Sequence, residues 1–255
     1  MSSISSISGY SDYSAYGTIA RGGRISKASE GASELAIQEK TESQVRGLDT
    51  GAENLKDAKS VLNIEDGALG QVTDYLQSIR QLSLQAMNGT MSDDDKASIQ
   101  NQIDQYKQGI NDIAGGTTYN EKKLLDGSAG NMTVASDNNG STETVGTYNM
   151  ATQALGIDDF DVTGDFDISR IDDALSKVTD SRTNAGAQTN AIDYALTYNS
   201  HAAMELNGFQ MDSEESRSVE ALQKLKSQQV MDVYQTQMQK KKMEDEQQKA
   251  MSVFV

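Results

Sequence analysis

Asp159-Phe160-Asp161-Val162-Thr163-Gly164 comes nearest to chemistry of any stretch in this chain. Aspartates at positions one and three with a glycine at six open a calcium loop, where carboxylates ring a hard cation and the glycine permits the sharp turn. The match then fails. Thr163 stands at position five, and Arg170 occupies the place of the bidentate glutamate, setting a positive charge against the ion. A turn-rich acidic loop is the better reading. His201 is the only histidine, and a lone imidazole lacks the partner groups that a ligand or general base needs. "KKKMEDE" (Lys240 to Glu246) sets three cations directly before three acids, which suits i,i+4 pairing on a solvated helix more than a basic patch. "GGTTYNEKK" lacks the Gly-Lys-Ser/Thr ending of a phosphate loop. No carboxylate pair, triad or Gly-rich cradle is left. The chain reads as a non-enzyme without metal or cofactor.

Composition narrows the architecture that must carry whatever else the chain does. Only 36% of its 255 residues are hydrophobic and 5% aromatic, and Trp is absent, so a thick globular core is hard to build. Long paired helices sharing a narrow seam need the least core per residue. The absence of Pro suits them, since an interior Pro costs about 3 kcal/mol. The absence of Cys removes disulfides, thiol nucleophiles and thiolate metal sites together. A net charge of −16, from 22 basic and 38 acidic residues, argues against nucleic acid as a partner. "MSSISSISGYSDYSAYG" has neither a basic start nor an apolar core, so it is not expected to be a cleavable secretory signal. No apolar run is long enough for a membrane span, and export would have to read another kind of signal.

Leu48, Leu55, Leu62, Leu69 and Leu76 fall seven residues apart, and Gly51, Ala58, Glu65, Val72 and Ile79 follow each by three. This is an intramolecular helix seam, imperfect at Gly51 and Glu65. Extended from Leu35 to Ala86 it predicts one helix of roughly 55 residues, about 80 Å long. Gly47, Gly51, Gly67 and Gly70 each cost that helix about 1 kcal/mol, which predicts close approach of another helix. Asn88-Gly89 ends it. Ser92 and Asp95 then cap a second helix carrying Ile99, Ile103, Tyr106, Ile110 and Ile113, which stops at Gly115-Gly116. Met132–Val134 and Thr144–Tyr148 flank Asn139-Gly140 as a β-hairpin. Helical pattern returns near Ile168 with Ile171, Leu175, Val178, Ala185, Ile192, Leu196 and Ala203, interrupted by Arg182, Thr189 and Asn199. A further helical stretch begins about Val219 and turns highly polar before "AMSVFV". Neither seam can be buried alone, so the two ends are expected to pair antiparallel. Seams left exposed would be surfaces for another copy.

The motifs together resemble the bacterial flagellin family. "ARGGRISKASEGASELAIQEKTESQVRGL" (20–48) is similar to the start of its N-terminal region, and "EDGALGQVTDYLQSIRQLSLQAMNGT" (65–90) to its most recognisable helix. "SDDDKASIQNQIDQYKQGINDIA" and "TTYNEKKLLDGS" look like its second helix and the turn beyond. "MATQALGIDDFDVTG" and "IDDALSKVTDSRTNAGAQTNAIDYAL" resemble its C-terminal half. The likeness runs over about residues 18–208, in the family's order.

The resemblance implies a mainly α fold, an elongated antiparallel long-helix rod built from both chain ends with a small β-hairpin insert. It divides the chain into a Ser/Tyr-rich export segment (1–24), N-terminal rod helices (25–116), the insert (117–165), a C-terminal rod helix (166–208) and an inner-tube-like helix (209–255). It implies a secreted, self-assembling subunit of the flagellum, serving motility. Its partners would be other flagellin subunits, the type III export apparatus and a chaperone on the C-terminal segment. Gln77, Arg80, Leu82, Gln85 and Gln102 would form the subunit-packing and receptor-type surface. Where the vertebrate flagellin-sensing Toll-like receptor grips an Arg and a Glu in the family, this chain has Ser78 and Gln102, so weak or no recognition is expected.

Both ends depart from the family pattern. About 20 residues, with Ile4, Ile7, Tyr10, Tyr13 and Tyr16 at three-residue spacing, precede the Arg21–Arg24 turn, where the family has a longer helical segment. "KKKMEDEQQKAMSVFV" replaces the family's low-charge C-terminal stretch. A hook–filament junction protein and a secreted, non-polymerising relative acting as a binding protein therefore stand as alternatives.

Overall fold

Helix α1 runs unbroken over Ala32–Ala86, 55 residues. The structure is a computed structural model that describes residues 15–253, with side chains to residue 248. The calls on Ile4, Ile7, Tyr10 and Tyr13 lie outside the described residues. Helix α2 (Asp93–Gly116) follows a short turn, and a small β region comes next: β1 (Thr118–Tyr119), β2 (Lys122–Lys123), β3 (Met132–Ala135) and β4 (Thr142–Val145). One helical turn, α3 (Thr152–Leu155), precedes α4, which spans Ser169–Val253. The two helical stretches read in the C-terminal sequence are thus a single helix of 85 residues.

Two compact units divide the chain, one holding Arg46–Ala203 and the other built from the described residues on either side of it. In the first, three ion pairs record the direction of packing. Lys59 meets Asp193 at 2.5 Å, Asp66 meets Arg182 at 2.9 Å, and Arg80 meets Asp172 at 2.6 Å. As one residue number climbs the other falls, so α1 and α4 are antiparallel here. Each pair is substantially exposed and contributes little to stability. Burial does the work. Leu48, Leu55, Leu62, Leu69, Val72, Leu76 and Ile79 are each no more than 3% exposed. Ile99, Ile103 and Ile110 of α2 and Ile171, Val178, Ala185 and Ile192 of α4 close the same core. Leu175 and Leu196 are only partly buried against it.

Helix α2 begins with a reciprocal cap. The Ser92 hydroxyl accepts from the Asp95 amide and the Asp95 carboxylate accepts from the Ser92 amide, both at 3.2 Å. The Ser92 hydroxyl also donates to the Asp95 carboxylate at 2.7 Å, and that bond first, then the one from the Ser92 amide, holds the Asp95 carboxyl below its ordinary range.

The β region is two separate hairpins. β1 and β2 pair antiparallel around Asn120 and Glu121, both at positive φ, the twist that a tight two-residue turn requires. β3 and β4 pair with Met132 opposite Val145. Strand β4 ends there, short of Tyr148, because Gly146 and Tyr148 turn their amides elsewhere: to the Gln188 side chain at 3.0 Å and the Leu124 carbonyl at 3.2 Å.

The expectation of close helix approach at four glycines is corrected. Gly47 and Gly51 do mark a close approach, but of the β3–β4 hairpin to α1. A Cβ on Gly51 would stand no more than 3.0 Å from the Ser136 carbonyl and the Asp137 amide, and one on Gly47 would stand 2.5 Å from the Asn138 Cβ. A Cβ on Gly67 or Gly70 would meet nothing within 4 Å beyond its own stretch of helix. Asn199, which interrupts the α4 seam, is the clasp. Only 2% exposed, it donates to the Ser136 carbonyl at 2.6 Å and the Leu48 carbonyl at 3.4 Å.

In the other unit the Arg21–Arg24 turn lies against α4. Gly23, at φ 83°, leaves no space for a side chain before the Glu214 carbonyl. Arg24 meets Glu42 at 2.5 Å, and the Gln38 side chain accepts from the Ile25 amide at 3.2 Å.

Candidate subunit-packing surface

The exposed side chains near the α1–α2 junction are amides more than acids. Gln77, Gln85 and Gln102 are exposed and make no side-chain hydrogen bond among the described residues. The rings of Tyr75 and Tyr106, 5.5 Å apart between centroids, fix the level of α1 against α2. Gln77 lies two residues past Tyr75 and Gln102 four before Tyr106, so the antiparallel pair puts them at levels about 3 Å apart along the axes. Arg80 is half-exposed and its guanidinium is held by Asp172, which raises its pKa through that hydrogen bond and charge. Leu82 is half-buried against the core. Leu84 and Met87, 49% and 59% exposed, extend the surface, and the seam spacing gave no reason to single them out. Neutral amides and apolar groups can meet another surface without leaving a buried charge, which is the chemistry of packing rather than of catalysis.

The acidic loop is occupied by its own chain. Arg170 pairs with the Asp159 carboxylate and donates to the Gly156 carbonyl at 2.6 and 3.1 Å. That pair holds the Asp159 carboxyl below its ordinary range. Asp161 accepts from the Thr163 amide and hydroxyl at 2.8 and 2.7 Å. Gln100 of α2 ties the loop down, accepting from Val162 N–H at 2.9 Å and donating to the Phe160 carbonyl at 3.2 Å. Among the described residues no group of three or more acids or imidazoles stands where it could share a metal ion. His201 is exposed. No helix among the described residues is long and apolar enough to cross a membrane. A depression of about 460 Å³ lies between the β3–β4 hairpin and α4, flanked by Tyr194 and Tyr198. Its Asp137 carboxylate is taken up by Asn139 and Ser141.

Residues 14–130 match the family model of the bacterial flagellin N-terminal helical region. A crystal structure of Bacillus cereus flagellin matches with 31% identity and a TM-score of 0.52, over 58% of this chain and 88% of that one. The chain belongs to the bacterial flagellin family. Phase 1 flagellin of Salmonella naestved and flagellin of Salmonella enteritidis are each 34% identical to it over 146 residues, 57% of this chain. That match spans 29% of the length of either relative.

Proposed function

We propose that the chain is a structural, non-catalytic subunit of the bacterial flagellar filament, exported and assembled outside the cell, in support of motility. One observation carries this reading beyond the family likeness. On α4 beyond residue 203, Phe209, Val219, Leu222, Val230, Val233 and Tyr234 are between 43% and 67% exposed. Apolar groups so concentrated on one helix are a surface that asks for partners, and further copies of the chain supply them. The Gln77, Arg80, Leu82, Gln85 and Gln102 surface would meet the next subunit. Export by the type III apparatus and a chaperone on the C-terminal segment belong to the same reading.

Polymerisation tests it. Purified chain, given a precipitating salt with and without filament seeds, is expected to form filaments of uniform width by negative-stain electron microscopy and to sediment. A persistent monomer, even when seeded, would count against the filament role and favour the junction or the secreted binding role.

Weak recognition by the flagellin-sensing Toll-like receptor is part of the proposal. Ser78 is half-buried and its hydroxyl donates to the Asp74 carbonyl of its own helix at 2.9 Å. Losing a central Arg from such a patch costs more than about 1 kcal/mol, at least about fivefold in affinity. A cell reporter is expected to respond less than to an ordinary flagellin, and S78R with Q102E is expected to raise the response. An equal response from the unaltered chain would overturn this.

A further inference from the structure

Glu65 occupies a seam position of α1, three residues after Leu62, in the series that elsewhere reads Ala58, Val72 and Ile79. It is 0% exposed, and neither carboxyl oxygen has a hydrogen-bond partner among the described residues. The phenol oxygen of Tyr148, on the segment after β4, is likewise buried without a partner. An ionised carboxylate cannot be held in such surroundings at an acceptable cost, and the group takes up a proton instead.

The charges on the neighbouring elements are engaged elsewhere. Asp66, next in the chain, is held by Arg182 of α4, and Lys59 by Asp193 of α4. Lys107 of α2 pairs with Asp104, and Lys123 of β2 with Asp126. None of them pairs with the Glu65 carboxyl. Burial is the sole cause that pushes its pKa up from 4.5 to about 8. Tyr148 is raised first by its own burial and then by the nearby Glu65 charge, which marks the two as neighbours.

We propose that Glu65 is a proton-binding site in the core of residues 46–203, so that this unit takes up one proton as it folds and weakens as its surroundings turn alkaline. The direction follows from linkage. Below pH 4.5 the carboxyl is protonated folded or unfolded, and its stability contribution is fully present. Between 4.5 and about 8 the folded unit binds more protons than the unfolded one, so the folding constant falls, approaching tenfold per pH unit. Above about 8 both states are ionised and the loss is complete. The aspartates with lowered pKa, Asp95, Asp126, Asp137, Asp159, Asp161 and Asp167, act at acid pH below this window. The site holds whether or not the chain polymerises.

The test compares urea unfolding of the full chain and of Glu65→Gln from pH 5.5 to 9.5, followed by circular dichroism. Infrared spectra of both are recorded at the two ends of the range. The unaltered chain is expected to lose close to tenfold in folding constant per unit up to about pH 8, while Glu65→Gln stays flat. At pH 5.5 the protonated carboxylic-acid band should be larger in the unaltered chain than in Glu65→Gln, and it should be absent from both at 9.5. Equal pH dependence of the two proteins, or bands of equal size at pH 5.5, overturns the proposal. Should Glu65→Gln not fold, Glu65→Leu, with a residue native to the seam, replaces it with the same expectation.

Discussion

Leu69→Ala is expected to lower the stability of the 46–203 unit by about 2–5 kcal/mol, read from the urea midpoint of the full chain. Leu69 is 0% exposed at the middle of the α1 seam, with Leu62, Val72 and Leu76 a turn or two away and equally enclosed. Truncation removes three methyl or methylene groups' worth of burial and leaves a cavity that helices locked on both sides close only in part. A narrow seam makes the loss more serious than it would be in a thick core, because few other layers share the burial. Leu84→Ala, on the same helix but 49% exposed, is the control and should stay within about 0.5 kcal/mol in the monomer. If the two variants unfold alike, the seam is not what holds this unit together.

Gly51→Ala is expected to destabilise the same unit by about 1–3 kcal/mol, against the usual gain of about 1 kcal/mol when an interior helical glycine becomes alanine. The reason is the β3–β4 hairpin. The new Cβ meets backbone atoms of Ser136 and Asp137, and backbone cannot swing aside as a flexible side chain would. Moving the hairpin also strains the Asn199 bond to the Ser136 carbonyl and the Asn54 bond to the Ala135 carbonyl. Gly67→Ala, with nothing within 4 Å, should instead follow helix propensity and stabilise the monomer by up to about 1 kcal/mol. Opposite signs at two glycines of one helix would establish that the first serves a contact and the second does not. Equal signs would remove the hairpin from the account of Gly51.

The resemblance to the family, not the spacing, singled out Gln77, Arg80, Leu82, Gln85 and Gln102, and of these Gln77, Gln85 and Gln102 are exposed. What spacing could not supply was the partner of Arg80, since Asp172 lies 92 residues away in sequence. Leu84 and Met87 were passed over because a heptad template looks only for the buried side of a helix. Asn120-Glu121 lacks the glycine that makes Asn139-Gly140 a clear turn signal, and two-residue strands are too short for alternation to register.

What the sequence determined by itself were properties carried by local repetition. The seven-residue spacing of Leu48 to Leu76 sets α1 and its buried face, and Ser92 with Asp95 sets where α2 begins, because a helix turn and a cap involve only residues a few positions apart. Tertiary structure alone decided what fills the two faults in the seam. Gly51 receives the hairpin, clasped by Asn199 across 63 residues, and Glu65 is enclosed with Tyr148. In both cases the deciding neighbour comes from a distant part of the chain, so its identity depends on how the helices and hairpins are brought together, and no pattern along α1 encodes it.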